Sequence, residues 1–343
     1  MKKVLIIGAA GYLGSKLFFY LQNKPNLIVH GADNLQYSNT FLKEVKKPKF
    51  KNLDIRDINN KYLEKYDVVI CLSALSNNPI DEKNKKKIYD ISKNYTENLG
   101  KKISEIGNKL IFPSSCSVYG YNDKICNEKT KTNPKTFYSI NKIEIEESLK
   151  RKKINCIILR PATVFGVSPS IRFDLVINML IGMSLVDKKI LLNSNGLAKR
   201  PFVYIDDLCE FFYRGILYNN KKFIILNAGN NHFNYSIIEV AKKISKISQK
   251  KIIFGKGLKL IHKDDLIKNA YDERSYNVNF DLASNEFKLK YKNNFDELIY
   301  KTYLEIKEIV KKNNFNSKNF YRLNKIRYLI NRNYISEKNL RVK

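Results

Sequence analysis

What this chain lacks narrows it first. Its three histidines, His30, His232 and His262, are isolated in sequence. We read them as structural or surface residues and expect no metal. The five cysteines (Cys71, Cys116, Cys126, Cys156 and Cys209) show no C-x-x-C spacing, which removes the usual zinc and redox motifs. Cys71 and Cys156 sit in apolar, strand-like runs, where buried free thiols are common. A reduced, cytoplasmic protein is the expectation. No apolar run approaches the ~18 residues of a membrane span. There is no internal repeat and no low-complexity linker. Lys2-Lys3 ahead of apolar residues superficially resembles a secretory leader, but no small-residue cleavage site follows.

Acidic residues are also scarce, 33 against 63 Lys and Arg, for a formal net charge of +30. Such an excess raises nucleic acid as a partner. Lys, Asn and Ile are abundant everywhere, however, as under a genome-wide compositional bias. Diffuse positive charge attracts any polyanion without specifying one. Nucleic acid is therefore not the expected main partner.

What is present is concentrated at the start. Val4-Leu5-Ile6-Ile7 reads as a buried parallel strand. It runs into Gly8-x-x-Gly11-x-x-Gly14, with helical spacing over 12–21. One glycine lets the chain turn, one lets backbone approach a pyrophosphate, and one lets the helix pack close to the sheet. Helix N-terminal N–H groups then face the phosphates. Asp33 closes the second apolar run, 27–30. A carboxylate there accepts ribose hydroxyls and repels a 2′-phosphate, favouring NAD over NADP.

Apolar strands alternate with helical stretches along the first half. Strands are expected over 50–55, 67–72, 109–113 and 154–159, with helices over 57–65, 81–106 and 137–152. Nearly all-apolar strands imply a doubly wound parallel α/β sheet of Rossmann type, covered on both faces. Ligands bind such sheets beyond the strands' C-terminal ends. The glycine triplet, Asp33, the loop 73–76, Ser114 to Ser117 and Pro161 all fall there. Beyond Gly166 the pattern loosens. Helices are expected over 173–185, 236–248 and 296–311, with a strand turning into a helix over 201–208 and a strand over 223–226. Asp206-Asp207 reads as a helix N-cap.

Tyr138 and Lys142 stand at i and i+4, on one helix face. An unperturbed Tyr is a poor base, with a pKa of about 10. A nearby ammonium and the positive ring of an oxidised nicotinamide would lower it. Ser115 could hydrogen-bond the substrate oxygen whose proton Tyr138 takes. Cys116 has no evident His partner for nucleophilic work.

At this point the sequence resembles the extended short-chain dehydrogenases/reductases, in particular the NAD-dependent epimerase/dehydratase family acting on nucleotide sugars. The resemblance covers roughly residues 3 to 310. It rests on the glycine triplet, Asp33-Asn34, Asp54-Ile55, Ser115 to Gly120, Tyr138-x-x-x-Lys142, Leu159 to Gly166, and Arg200 to Asp207. It implies a catalytic set of Ser115, Tyr138 and Lys142. It implies NAD held by Gly8, Gly11, Tyr12, Leu13, Gly14, Asp33, Asn34, Asp54, Ile55, Leu72, Ser73, Ala74, Tyr138, Lys142 and Pro161. It implies a nucleotide-diphosphate sugar met by Ser76, Ser115, Thr163, Arg200 and Arg274. Planar, multi-donor guanidinium suits a diphosphate, with a solvated surface residue as the lesser reading for either arginine. The implied domains are 1–166 for NAD, with the segment about 200–230 a candidate to return to it, and 167–310 for the nucleotide sugar.

Two departures narrow the expected activity. In the family's 4,6-dehydratases an Asp-Glu pair follows the catalytic hydroxyl residue; here Cys116 and Ser117 stand there. Ser92 replaces the family's usual Asn, which puts the detailed support of Tyr138 in question. The expected reaction is epimerisation, most simply at C4, through a transient keto sugar. A keto-sugar reductase or dehydrogenase is the alternative, and a non-catalytic NAD-bound regulatory protein a further one.

The resemblance also implies a homodimer joined through the helices around 91–106 and 137–149. Ile91, Leu99, Ile103 and Ile106 would either face a partner or pack on the sheet. In the basic tail, 311–343, Tyr321, Leu323, Ile326, Leu329 and Ile330 have near-helical spacing. A helix docked on the body is the reading adopted, with an anionic membrane surface and single-stranded nucleic acid as the alternatives.

Overall fold

The computed structural model describes residues 1–36, 41–42, 45–46, 48–74, 85–220, 222–255, 274–291, 294–312, 328, 331–332 and 334. Seven strands form one parallel sheet: β1 (Lys2–Ile7), β2 (Leu27–Asp33), β3 (Lys51–Asn52), β4 (Val68–Cys71), β5 (Lys109–Pro113), β6 (Cys156–Pro161) and β10 (Phe223–Ala228). Their spatial order is β10-β6-β5-β4-β1-β2-β3. The chain thus reverses direction across β1, and the crevice there is where such sheets bind ligands.

Strand alternation explains why these runs are apolar throughout. In β1, Val4 and Ile6 join one core with Leu17 and Leu21 of α1 (Tyr12–Gln22) and Phe212 of α6 (Ile205–Leu217). Leu5 and Ile7 join the other, with Leu63 of α2 (Asn60–Leu63), Leu99 of α3 (Lys85–Ile106) and Leu149 of α4 (Phe137–Arg151). Both faces are covered, so Val4 to Ile7 are all buried. Leu99 and Ile103 therefore take the packing role, not the partner-facing one, and Ile106 is partly buried against the same core.

A third core lies beyond Gly166. There α5 (Val176–Val186) packs against α7 (Ile237–Ser248) and α9 (Phe295–Lys312). Helix α5 is apolar nearly all round, as a helix enclosed by neighbours must be. Two small sheets flank it. One holds β7 (Thr163–Phe165), β9 (Lys199–Tyr204) and β11 (Asn234–Ser236); the other pairs β8 (Ile190–Leu192) with β12 (Ile252–Phe254).

Two expectations need correction. The strand expected over 50–55 shrinks to two residues. The Asp54 carboxylate accepts from the Arg56 N–H at 3.0 Å and starts a 3-10 turn, Ile55–Asp57, so a local side-chain bond displaces the ladder. Asp206 and Asp207 are not N-caps. Tyr204 holds that position, and the two acids occupy the first turn of α6, where they favour the helix dipole. The basic tail from 313 onward lies outside the described residues, apart from Tyr328, Asn331, Arg332 and Tyr334.

Candidate active site

The turn between β1 and α1 is shaped by what cannot fit. Gly8 has φ +87°, and a Cβ there would stand 2.7 Å from the Ser73 nitrogen. A Cβ on Gly14 would collide with the Gly8 carbonyl oxygen. At Gly11 the only near atom is the Gly8 oxygen, at 3.3 Å, so that side of the turn is open. Gly11 is also the N-cap of α1, and no side chain caps that helix end. An open backbone cradle at a bare helix N-terminus fits a pyrophosphate. Leu13 follows in the first turn of the same helix and packs partly buried against two of the cores.

Asp33 is nearly buried at the end of β2. One carboxylate oxygen accepts from the Ala10 N–H at 2.9 Å and the other from the Leu35 N–H at 2.7 Å. It thus ties the glycine turn to the second strand. Asn34 beside it accepts from the Gln36 N–H at 3.4 Å. Although burial works to raise it, the Asp54 carboxyl is held below its ordinary range by hydrogen bonds from the Arg56 side chain and backbone and by that guanidinium's charge. Ile55 next to it is buried. Tyr12 opens α1 directly after Gly11. Its hydroxyl donates to the Gly166 carbonyl at 2.8 Å, so its ring serves the junction with the second unit. Leu72 donates its N–H to Ile7, the Ser73 carbonyl accepts from Tyr95 at 3.1 Å, and Ala74 is exposed. Ser76 lies outside the described residues.

The three chemistry-bearing side chains meet at the C-terminal end of β5. Ser115 caps the 3-10 helix Cys116–Tyr119, its hydroxyl oxygen accepting from the Ser117 N–H at 3.1 Å. Helix α4 begins at a reciprocal capping box between Thr136 and Ser139, which places Tyr138 in its first turn. Lys142, one turn on, is buried. Its ammonium donates to the Pro113 carbonyl at 2.7 Å and lies 4.5 Å from the Phe112 ring centroid and 5.6 Å from that of Tyr138. Burial pushes the Lys142 ammonium down to about 8, against the pull of Cys71 and Glu146.

Burial likewise pushes the half-buried Tyr138 phenol up; the Arg172 charge, the Ser115 hydroxyl and the Arg274 charge oppose it. The expectation assigned that lowering to Lys142. In this structure the cations that favour the phenolate are Arg172 and Arg274. Arg172 had no sequence signal; it precedes α5 and pairs through both ends of its fork with Asp174 at 2.9 Å. Ser92 is buried and accepts from the Tyr95 hydroxyl at 3.1 Å, while Asn141 of α4 donates to the Tyr89 carbonyl of α3 at 2.8 Å.

Cys116 is buried, its thiol donating to the Arg160 carbonyl at 3.0 Å. Burial holds that thiol well above its ordinary pKa, so it is no nucleophile. The hydroxyls of Ser114 and Ser117 are buried with no partner among the described residues. Arg200 of β9 is no surface residue. It is nearly buried, donates to the Lys199 carbonyl at 2.8 Å and to the Arg274 carbonyl, and stacks on Tyr276 with its carbon 5.5 Å from the ring centroid. The two arginines are thus adjacent. Thr163 pairs in register with Phe202, and Pro161 ends β6 opposite Ala228. Among the described residues no group of three or more His, Cys, Asp or Glu could hold a metal.

The family model for the NAD dependent epimerase/dehydratase family matches residues 4–229. The chain belongs to that family. The family is NAD-dependent, and the cradle at Gly11 and the carboxylate of Asp33 fit that cofactor. A dTDP-D-glucose 4,6-dehydratase of Dictyostelium discoideum is 31% identical over 72% of this chain and 62% of its own length. A UDP-glucose 4-epimerase of Lactobacillus helveticus is 30% identical over 71% of this chain and 82% of its own. For the bifunctional polymyxin resistance protein ArnA of Wigglesworthia glossinidia brevipalpis the match spans 41% of that protein. Among solved structures, a UDP-glucuronic acid 4-epimerase from Bacillus cereus in complex with UDP-glucuronic acid and NAD superposes with a TM-score of 0.70 at 24% identity, over 90% of this chain and 99% of that one. An NAD-dependent NDP-hexosamine 5,6-dehydratase of tunicamycin biosynthesis reaches a TM-score of 0.75 at 18% identity, over 92% and 99%. These likenesses concern the fold. Epimerases and dehydratases share it, so the fold alone does not choose between their reactions. Among the described residues no helix is long and apolar enough to cross a membrane.

Proposed function

We propose that this protein is an NAD-dependent nucleotide-sugar epimerase acting at C4 through a transient 4-keto sugar. The observation that carries the reading is the convergence of Ser115, Tyr138 and Lys142 at the end of β5, with no carboxylate at the two positions after Ser115. Water elimination needs an acid and a base there. The Cys116 thiol donates a hydrogen bond to a backbone carbonyl and Ser117 carries only a buried hydroxyl.

Tyr138 takes the proton of the C4 hydroxyl, with Ser115 hydrogen-bonded to the same oxygen. NAD, when bound, accepts the C4 hydride and returns it. The keto sugar turns in the site, the hydride comes back to the opposite face, and Tyr138 restores the proton. Lys142 holds the nicotinamide ribose. The guanidinium groups of Arg172 and Arg274 keep the phenolate accessible while it waits, and Arg200 with Arg274 meets the diphosphate. In this reading residues 1–166 together with β10 hold NAD, residues 167–310 hold the sugar nucleotide, and the protein works in the cytoplasm. A homodimer through α3 and α4 belongs to the same proposal; Phe137 and Ile140 are exposed apolar residues on α4. Light scattering at micromolar concentration tests it, and a monomeric mass contradicts it.

The test of the reaction is incubation with UDP-, GDP- and dTDP-hexoses without added cofactor. An epimer of unchanged mass supports the proposal. A requirement for stoichiometric NADH turns it to a reductase, which the relative named GDP-6-deoxy-D-talose 4-dehydrogenase keeps in view.

A further inference from the structure

Glu146 stands one turn beyond Lys142, so Tyr138, Lys142 and Glu146 fall at i, i+4 and i+8 on one face of α4. It is buried, and a buried carboxylate needs a partner. Arg160, the penultimate residue of β6, provides one. Its Nε donates to one Glu146 oxygen at 3.0 Å and its terminal nitrogen to the other at 2.6 Å. The remaining arm donates to the Tyr119 hydroxyl at 3.0 Å, and that hydroxyl donates to Asn227 Oδ1 of β10 at 2.8 Å. The Arg160 carbonyl meanwhile accepts from the Cys116 thiol. Cys116 and Tyr119 are the first and last residues of the 3-10 turn that Ser115 caps. One residue thus grips both the helix carrying Tyr138 and Lys142 and the turn carrying Ser115.

We infer that Glu146 and Arg160 are positioning residues, which set the Ser115 turn against the Tyr138–Lys142 face and hold the Lys142 ammonium in place. Neither touches the substrate. The inference rests on the catalytic roles proposed above for those three residues. A hydrophobic pair of similar volume would fill the same space as well, since buried ion pairs add little net stability. What it would not do is fix two elements in two directions at once. Around the Lys142 ammonium the charged or titratable neighbours are Cys71 of β4 and Glu146 and Tyr138 of α4.

The test uses Glu146→Gln and the double variant Glu146→Gln with Arg160→Met, which leaves no unpaired buried charge. Lys142 is followed by NMR titration of its ε-methylene, assigned by its absence in Lys142→Met. This readout and NAD affinity need no sugar, so they stand even if the 4-epimerase reading fails. The double variant is expected to melt near the wild type and to bind NAD with unchanged affinity. In Glu146→Gln the Lys142 midpoint should fall by about half a unit or more, since a favourable neighbouring charge is gone while the Arg160 charge remains. On a turned-over sugar, kcat of the double variant should fall on the order of 10²-fold with KM little changed, as for a misplacement of about 1 Å. A Lys142 midpoint in Glu146→Gln equal to the wild type's, or wild-type kcat in the double variant, overturns the inference. Loss of folding in both variants overturns it too, because the pair would then hold the fold and not the site.

Discussion

Strand β5 has a buried lysine at each end, and the two differ in what surrounds them. Lys109 opens the strand; Lys142 docks on its last carbonyl. Burial pushes both ammonium groups down to about 8. Lys109 donates to the Ile216 carbonyl at 3.4 Å, to Asn219 Oδ1 at 3.1 Å and to the Tyr218 carbonyl, closing the C-terminal end of α6. Its donors are used up on two carbonyls at that helix end and on the Asn219 side chain. Lys142 has one carbonyl at 2.7 Å and otherwise aromatic rings. A shifted pKa therefore does not mark a working group. Unspent donors, at the strand end where ligands bind, do.

The largest expected effect lies at the top of that strand. Tyr138→Phe removes the proposed base with almost no change of shape. Turnover should fall about 10²–10⁴-fold, with melting and NAD affinity kept; near wild-type turnover would show another group at work. Next, Lys142→Met should lose turnover by on the order of 10²-fold, while Lys109→Met keeps it. Equal losses in the two variants would erase the distinction between the strand ends.

A smaller effect concerns cofactor choice. With Asp33 fixed between Ala10 and Leu35, NAD should bind at least about tenfold more tightly than NADP, about 1.4 kcal/mol. Titration at one salt concentration checks this, and equal affinities contradict it. A separate effect, read in stability and not in turnover or affinity, is shared by both lysines. Each has a folded pKa near 8 against 10.5 for the free side chain, so the folded state binds fewer protons between those values. Stability should rise with pH from about 8 to 10.5 in the wild type relative to either Met variant, and be level below 8. Denaturant titrations across that window would show a flat difference if the lysines titrate normally.

The sequence displayed the fold through local signals. Apolar runs give parallel strands, and the glycine triplet can only be a turn with backbone in contact, as Gly8 against Ser73 confirms. The spacing of Tyr138 and Lys142 on one helix face was legible for the same reason. Glu146 continues that spacing and could have been found with it. Arg172 could not, because its approach to Tyr138 depends on the packing of α5 far along the chain. The opposite error came at Asp54, where Phe50, Leu53 and Ile55 suggested a strand but one side-chain bond to Arg56 decided the backbone. The buried fates of Leu99 and Ile103 were likewise undecidable from spacing, since a sheet and a partner helix ask for the same apolar stripe.

The central claim is that Tyr138 and bound NAD oxidise and restore the same carbon. A nucleotide hexose carrying deuterium at C4, incubated with the protein and no added cofactor, tests it directly. The account predicts the C4 epimer with deuterium retained at C4 and total mass unchanged. Deuterium lost to water, or a product lighter by one water molecule, would contradict it.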